Sequence, residues 1–252
     1  ASGDPVYVED VFSIDLYTGN NSAQTITTGL DISGEGGTIW FKQRVDTESH
    51  RMLTTTSGTY KYVQPDVTDL EYSVAASNGG FGSVTSTGFT LVADDGYSFN
   101  KNNKDMVAWS FRKQEGFFDI VTFTGDGTSN RAISHSLNAT IGSIFLKRTD
   151  TSEDWYVYHR NIDSDLSNAP YYKLVLNSTA ARANNGSNGI IGTSTSTFTV
   201  HGTGNTSSAT YVAYIFAAGE SDSQIFGDDG DEAIVKTGTF TTDGSGDASI
   251  SL

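Results

Sequence analysis

Cysteine is absent from the 252 residues, which removes disulfides, thiolate metal sites and cysteine nucleophiles together. Only three prolines and two methionines occur, and no apolar run approaches the roughly 18 residues of a membrane-spanning helix. The N-terminus lacks a basic-then-apolar signal pattern, so the chain reads as soluble. Basic residues are scarce: 15 Lys and Arg stand against 30 Asp and Glu, a formal net charge of -15. A surface of that sign repels phosphate backbones and anionic headgroups, so neither nucleic acid nor a membrane is expected as a partner. The four histidines, His50, His135, His159 and His201, sit in no HExxH, HxH or triad-like setting. With 30 acids, a carboxylate pair at glycosidase spacing arises by chance and carries no weight. No catalytic signature is present, and the expectation is a protein that is not an enzyme.

What is abundant points to strands. Gly, Ser and Thr crowd the connections, and 36% of residues are hydrophobic with Val, Ile, Phe and Tyr prominent. Almost no helix is expected. The chain also repeats itself. Gly37-Thr38-Ile39-Trp40-Phe41-Lys42 returns as Gly142-Ser143-Ile144-Phe145-Leu146-Lys147, and Val107-Ala108-Trp109-Ser110-Phe111 returns as Val212-Ala213-Tyr214-Ile215-Phe216, both 105 residues later. Ser86-Thr87-Gly88-Phe89-Thr90-Leu91 matches Thr195-Ser196-Thr197-Phe198-Thr199-Val200 at 109. A third, partial copy ends the sequence: Phe240-Thr241-Thr242-Asp243-Gly244 repeats Phe123-Thr124-Gly125-Asp126-Gly127.

The fold class read from this pattern is all-β: two tandem related β-sandwich units, jelly-roll or lectin-like, plus a C-terminal closing hairpin. The boundaries are an N-terminal arm over residues 1–9, repeat 1 over 10–115, repeat 2 over 116–232, and a hairpin over 233–252 packed on repeat 2. Each repeat opens with a hairpin signal, Val11 to Thr18 then Thr25 to Leu30, and again Ile120 to Thr124 then Arg131 to Leu137. Residues 76–87 are too Gly-rich for a firm central strand and read as a loop, as does Ala183 to Ser196. Paired aromatic positions in duplicated strands imply a shared core, so Trp40 should superpose on Phe145, Trp109 on Tyr214, and both pairs should be buried.

Two acidic loops are candidates for a hard cation such as calcium, which takes several oxygens from carboxylates and backbone carbonyls. The first choice is Asp228, Asp229, Asp231 and Glu232; Asp163-Ser164-Asp165 is the other. Neither has the EF-hand order, and the plainer reading is a polar turn. Tyr156, Tyr158, Tyr171 and Tyr172 are candidates for stacking on a sugar ring, although strand aromatics usually serve the core.

Tyr17-Thr18-Gly19-Asn20, Asp31-Ile32-Ser33-Gly34-Glu35-Gly36-Gly37 before Trp40, Val107 to Gln114, Phe117-Phe118-Asp119-Ile120-Val121, and Lys147 to Asp150 with Trp155 to Arg160 carry a resemblance. The chain resembles a repeat domain of tailed-phage virion structural proteins, of the marine and cyanophage type, from about Glu9 to Leu252. The resemblance implies a non-enzymatic structural protein exposed on the particle, as a head decoration, a head or tail appendage or a fibre domain. Its implied partners are other virion proteins and further copies of itself. The alternative is a lectin-like receptor-binding module that engages a host surface glycan.

Overall fold

The computed structural model describes residues 5–55, 60–74, 79–96, 99–219, 226–227 and 232–249. Among the described residues, nine strands form the first half: β1 (Phe12–Thr18), β2 (Gln24–Thr27), β3 (Gly37–Gln43), β4 (Arg51–Thr54), β5 (Lys61–Val63), β6 (Tyr72–Ser73), β7 (Gly79–Thr85), β8 (Gly88–Asp94) and β9 (Asp105–Arg112). Nine more follow: β10 (Phe118–Thr124), β11 (Arg131–Ser134), β12 (Ile141–Arg148), β13 (Tyr156–His159), β14 (Tyr172–Val175), β15 (Ala183–Asn184), β16 (Gly189–Thr193), β17 (Thr197–His201) and β18 (Thr210–Ala217). The helical segments are short turns, so the protein is all-β with antiparallel pairing.

Strand order repeats with the sequence. The first half holds a six-stranded sheet, β1-β9-β3-β4-β5-β6, and a three-stranded sheet, β2-β8-β7. The second half holds β10-β18-β12-β13-β14-β15 and β11-β17-β16, each strand standing where the strand nine earlier stood. Trp40 is paired with Trp109, and Phe145 with Tyr214, in the same register. Of these four, Tyr214 is fully buried; Trp40, Trp109 and Phe145 are half-buried, short of the burial their pattern predicts.

Side-chain alternation explains why. Along β3, Ile39 and Phe41 face the three-stranded sheet and join Phe81, Phe89 and Leu91 in one core. Ile144, Leu146, Tyr156, Ala213 and Ile215 do the same against Ile133, Ile190, Phe198 and Val200 in the second half. The other face of each six-stranded sheet is apolar as well. Met52, Val63, Trp40 and Phe111 meet Phe118, Ile120, Trp155, Val212 and Tyr214 in a third core. The two six-stranded sheets therefore pack against each other, and the layers run three, six, six, three. Trp40 belongs to this central layer, with its indole N–H donated to His50 Nδ1 at 2.9 Å.

The opening hairpins expected from the sequence are not hairpins. β1 and β2 lie in different sheets, as do β10 and β11, because the connection between them is clasped by a buried asparagine. Asn100 Oδ1 accepts from the Asn20 amide at 3.0 Å and from Gln24 Nε2 at 2.6 Å, while its Nδ2 donates to Ser22 O and Val92 O, each at 2.7 Å. Asn205, 105 residues later, accepts from the Asp126 amide at 3.2 Å and donates to Asp126 Oδ1 and Thr128 O. Gly19 and Gly125 sit against these clasps, where a Cβ would collide with the carbonyl oxygens of Lys101 and Thr206. Both β10 and β11 pair inside the second half, not with the first.

Two stretches whose composition reads as loop hold strands. Gly80 and Gly82 of β7 leave room for the side chains of Asp94 and Thr90, and the Ser83 amide donates to Thr90 Oγ1 at 2.9 Å. Glycine there accommodates a bulged ladder rather than ending it. Residues 183–196 likewise contain β15 and β16. The N-terminal arm is docked, with Val6 bridged to Phe226. In the C-terminal segment no strand forms among the described residues 232–249. Ile234 and Val235 pack on the cores and the Thr237 amide donates to Ala218 O at 3.0 Å, but Phe240 is 63% exposed. This third copy carries Thr242 where Gly19 and Gly125 admit no Cβ, so it cannot enter the same clasp.

Truncating either clasp strands several buried polar groups, each costing about 1–3 kcal/mol. Asn100→Ala and Asn205→Ala should each lower unfolding free energy by about 2–4 kcal/mol in urea titrations, whereas Asn185→Ala, at a less enclosed site, should cost under about 1 kcal/mol.

Candidate functional site

The second sandwich is open at one end. Between its six- and three-stranded sheets lies a cavity of about 210 Å³, lined by the last residues of β12, the first of β13, β16 and β18, and the turn after β17. Tyr156 and Tyr211 form its aromatic wall, and Arg148, Glu153, Asp154 and Lys173 carry its polar groups.

A comparison of the halves accounts for this opening. In the first half Phe99, just before the clasp residue Asn100, is fully buried, with its ring 5.0 Å from Phe41 and 5.4 Å from Tyr62. The residue before Asn205 is Gly204, so that plug is missing. Gly204 and Gly189 are packed backbone to backbone, with a Cβ on Gly204 falling 2.8 Å from Gly189 Cα. Gly189 has φ +77 and lies against the ring of Tyr156, so this wall consists of main chain and aromatic ring.

Most polar groups around the cavity are already committed. Arg148 holds Asp150 through two bonds, at 2.9 and 3.1 Å, and Glu153 at 2.8 Å. The hydrogen bonds from Arg148 hold the Asp150 carboxyl below its usual range, and the same contact holds the guanidinium further in its charged form. Tyr211 donates to Thr203 O at 2.8 Å, and Tyr156 accepts from Asn185 Nδ2 at 3.2 Å. Burial pushes the Tyr156 hydroxyl pKa up. The Lys173 ammonium lies 5.7 Å from the Tyr156 ring centroid and meets no carboxylate at ion-pair distance among the described residues. With two cations and two anions in its lining, the cavity is close to neutral on a chain of net charge -15.

A model of the family described as "Domain of unknown function (DUF7483)" matches residues 8–245. The chain belongs to the DUF7483 family. No curated protein and no solved structure matches it.

The four tyrosines singled out in this DUF7483 chain do not make one surface. Tyr156 lines the cavity; Tyr158 is 3% exposed in the sandwich core, near Thr193 Oγ1. Tyr171 is 51% exposed, and Tyr172 lies under the Arg182 guanidinium at 4.4 Å. Asp228, Asp229 and Asp231 fall outside the described residues, and Glu232 is exposed. Asp163 accepts from the Asp165 amide at 3.0 Å and pairs with Arg182 at 2.6 Å, which together lower its pKa. Among the described residues no group of three or more His, Asp or Glu is arranged to hold a metal ion. Sequence reasoning misses Gly204, although the signal is there: the 105-residue offset that sets Trp40 on Phe145 and Trp109 on Tyr214 also sets Phe99 on Gly204.

Next to the cavity, Lys147 is 0% exposed in the central layer and donates to Thr68 O of the first half at 3.1 Å and to Glu153 O at 2.7 Å. Burial lowers its pKa from 10.5 to about 8, so the unfolded chain holds this proton more tightly than the folded one. The folded state is penalised below pH 8, and the penalty is relieved as pH rises from 8 to 10.5. The stability of wild type relative to Lys147→Met should therefore increase across that window, by roughly 3 kcal/mol at most. A flat difference curve from paired denaturant titrations would contradict this assignment.

Proposed function

We propose that this chain is a non-enzymatic structural protein exposed on a virion, serving as a head decoration, a head or tail appendage or a fibre domain. One observation supports this reading above others: each of the three gaps between the four sheet layers holds its own apolar core, with Phe41 and Phe89 in the first, Tyr214 in the second and Phe198 in the third. Such a block offers stiffness and broad surface, which a particle component needs and a hinged enzyme does not. The virion setting comes from the sequence resemblance, which also names other virion proteins and further copies of the chain as partners. Mass spectrometry and antibody labelling of purified particles should find the protein on the outside at a fixed copy number. Its presence in infected-cell lysate but never in particles would overturn the reading.

A lectin-like reading is favoured by one feature, the cavity beneath Gly204. At about 210 Å³ it is smaller than the roughly 300–1,000 Å³ of drug-sized pockets, so it suits a single sugar ring. Tyr156 supplies an apolar wall, and Lys173 and Glu153 supply a donor and an acceptor for ring hydroxyls. Saturation-transfer NMR with a panel of neutral monosaccharides should detect weak binding that falls at least about fivefold in Lys173→Ala, the loss of one charge-assisted hydrogen bond. No transfer to any sugar would reject this second reading and leave the first standing.

A further inference from the structure

The central layer is built from two unlike surfaces. On the second half it is the face of β10, β18 and β12 that carries Ile120 (4% exposed), Tyr214 (0%) and Lys147 (0%), with Trp155 (0%) beside it. On the first half it is β4, β5 and the turn beyond them, with Trp40 of β3 and Phe111 of β9 beside them. Thr54 Oγ1 bonds the Tyr214 hydroxyl at 2.8 Å, Trp155 Nε1 donates to Gln64 O at 2.9 Å, and Lys147 reaches Thr68 O.

Each surface has a counterpart elsewhere in the chain, and neither counterpart is used in the same way. Ile14 pairs with Trp109 as Ile120 pairs with Tyr214, so the same face exists on the first half. There Ile14 is 57% exposed, Leu16 beside it 64%, and Trp109 only half-buried. At the opposite end, Val157 pairs with Leu174 as Met52 pairs with Val63. Met52 and Val63 are each 1% exposed; of their counterparts Val157 is buried at 6% but Leu174 is 36% exposed, and His159, in the place of Thr54, is half-buried.

We propose that the open face at Ile14, Leu16 and Trp109 docks the β13–β14 surface of a second copy, repeating between chains the contact that joins the two halves within one. The second copy is the occupant because the matching surface is on this same polypeptide, at the end that the internal contact leaves free. An apolar contact also suits copies that repel one another through a net charge of -15 each. The two surfaces differ, so the contact is head-to-tail and extends into a ring or a filament. This inference does not depend on the virion setting, since a chain found nowhere in a particle could still assemble in this way.

The test is the solution mass of the full chain by light scattering and sedimentation velocity, at low and high salt. Wild type should gain mass with concentration, more so at high salt, where repulsion is screened. Ile14→Glu/Leu16→Glu and Leu174→Glu should each be monomeric. An equimolar mixture of the two should form dimers and stop there, because each supplies the surface the other has lost. Circular dichroism and thermal melts establish that both variants fold. If the double variant does not, Ile14→Ala, which truncates only the side chain in the place of the buried Ile120, should still weaken association at least about tenfold. A wild type that stays monomeric in all conditions overturns the proposal. So does an oligomer that Leu174→Glu leaves intact, or a mixture of variants that stays monomeric.

Discussion

Two sheets that each carry apolar cores on both faces impose the constraint on which the rest of this structure depends. A sheet with one wet face needs apolar residues at alternate positions, but an inner sheet needs them at both parities. β3 and β18 meet that demand: Ile39 and Phe41 serve one core while Trp40 serves another, and Ile215 alternates with Tyr214 and Phe216 in the same manner. The polar groups caught between the inner sheets must then find partners inside, because an unpaired buried group costs about 1–3 kcal/mol. Tyr214 finds Thr54, Trp155 finds the carbonyl of Gln64, and Lys147 finds that of Thr68. These three bonds cross from one half to the other and fix how the sheets sit, which apolar contact alone leaves free to slide.

Duplication explains most of the remaining architecture, and divergence explains the exceptions. The asparagine clasp is present twice with its glycine, the carbonyl that glycine faces and its positive-φ residue, Asn103 at +57 and Ser208 at +65. The mouth of the sandwich is not duplicated in the same way. Phe99, packed on Phe41 and Tyr62, seals one, whereas Gly204, with Leu146 and Lys173 in the places of those two rings, leaves the other open. Exposure diverges too: Ile120 and Tyr214 are covered in the second half, while Ile14 is exposed and Trp109 half-buried at the same places in the first.

The candidate site is only partly legible in the sequence. The aromatic run around Trp155 points to Tyr156 and Tyr158 alike, yet Tyr156 lines the cavity and Tyr158 lies in the core. Period-two alternation places both on one face but does not say where along that face the opposing sheet ends. Tyr156 stands at the first residue of β13, beside the opening, and Tyr158 is two residues deeper. The acidic turn at Asp163 and Asp165 shows the converse: its carboxylates are engaged by Arg182 and by their own turn amides, which composition alone does not reveal.

By itself the sequence determined the fold class, the 105-residue duplication and the alternation of Ile39 and Phe41 against Trp40, because these rest on local spacing and on comparison of the chain with itself. Tertiary structure decided what those patterns face. β1 and β2 look like the arms of a hairpin, yet Asn100, some 80 residues away in sequence, holds them in separate sheets. The glycines of β7 look like a loop, yet the side chains of Asp94 and Thr90 fill the space above them. Trp40 looks like the core of one sandwich and packs instead toward the other half. In each case the deciding contact is made by a residue distant in sequence, and its energy depends on a geometry that exists only once the layers have stacked.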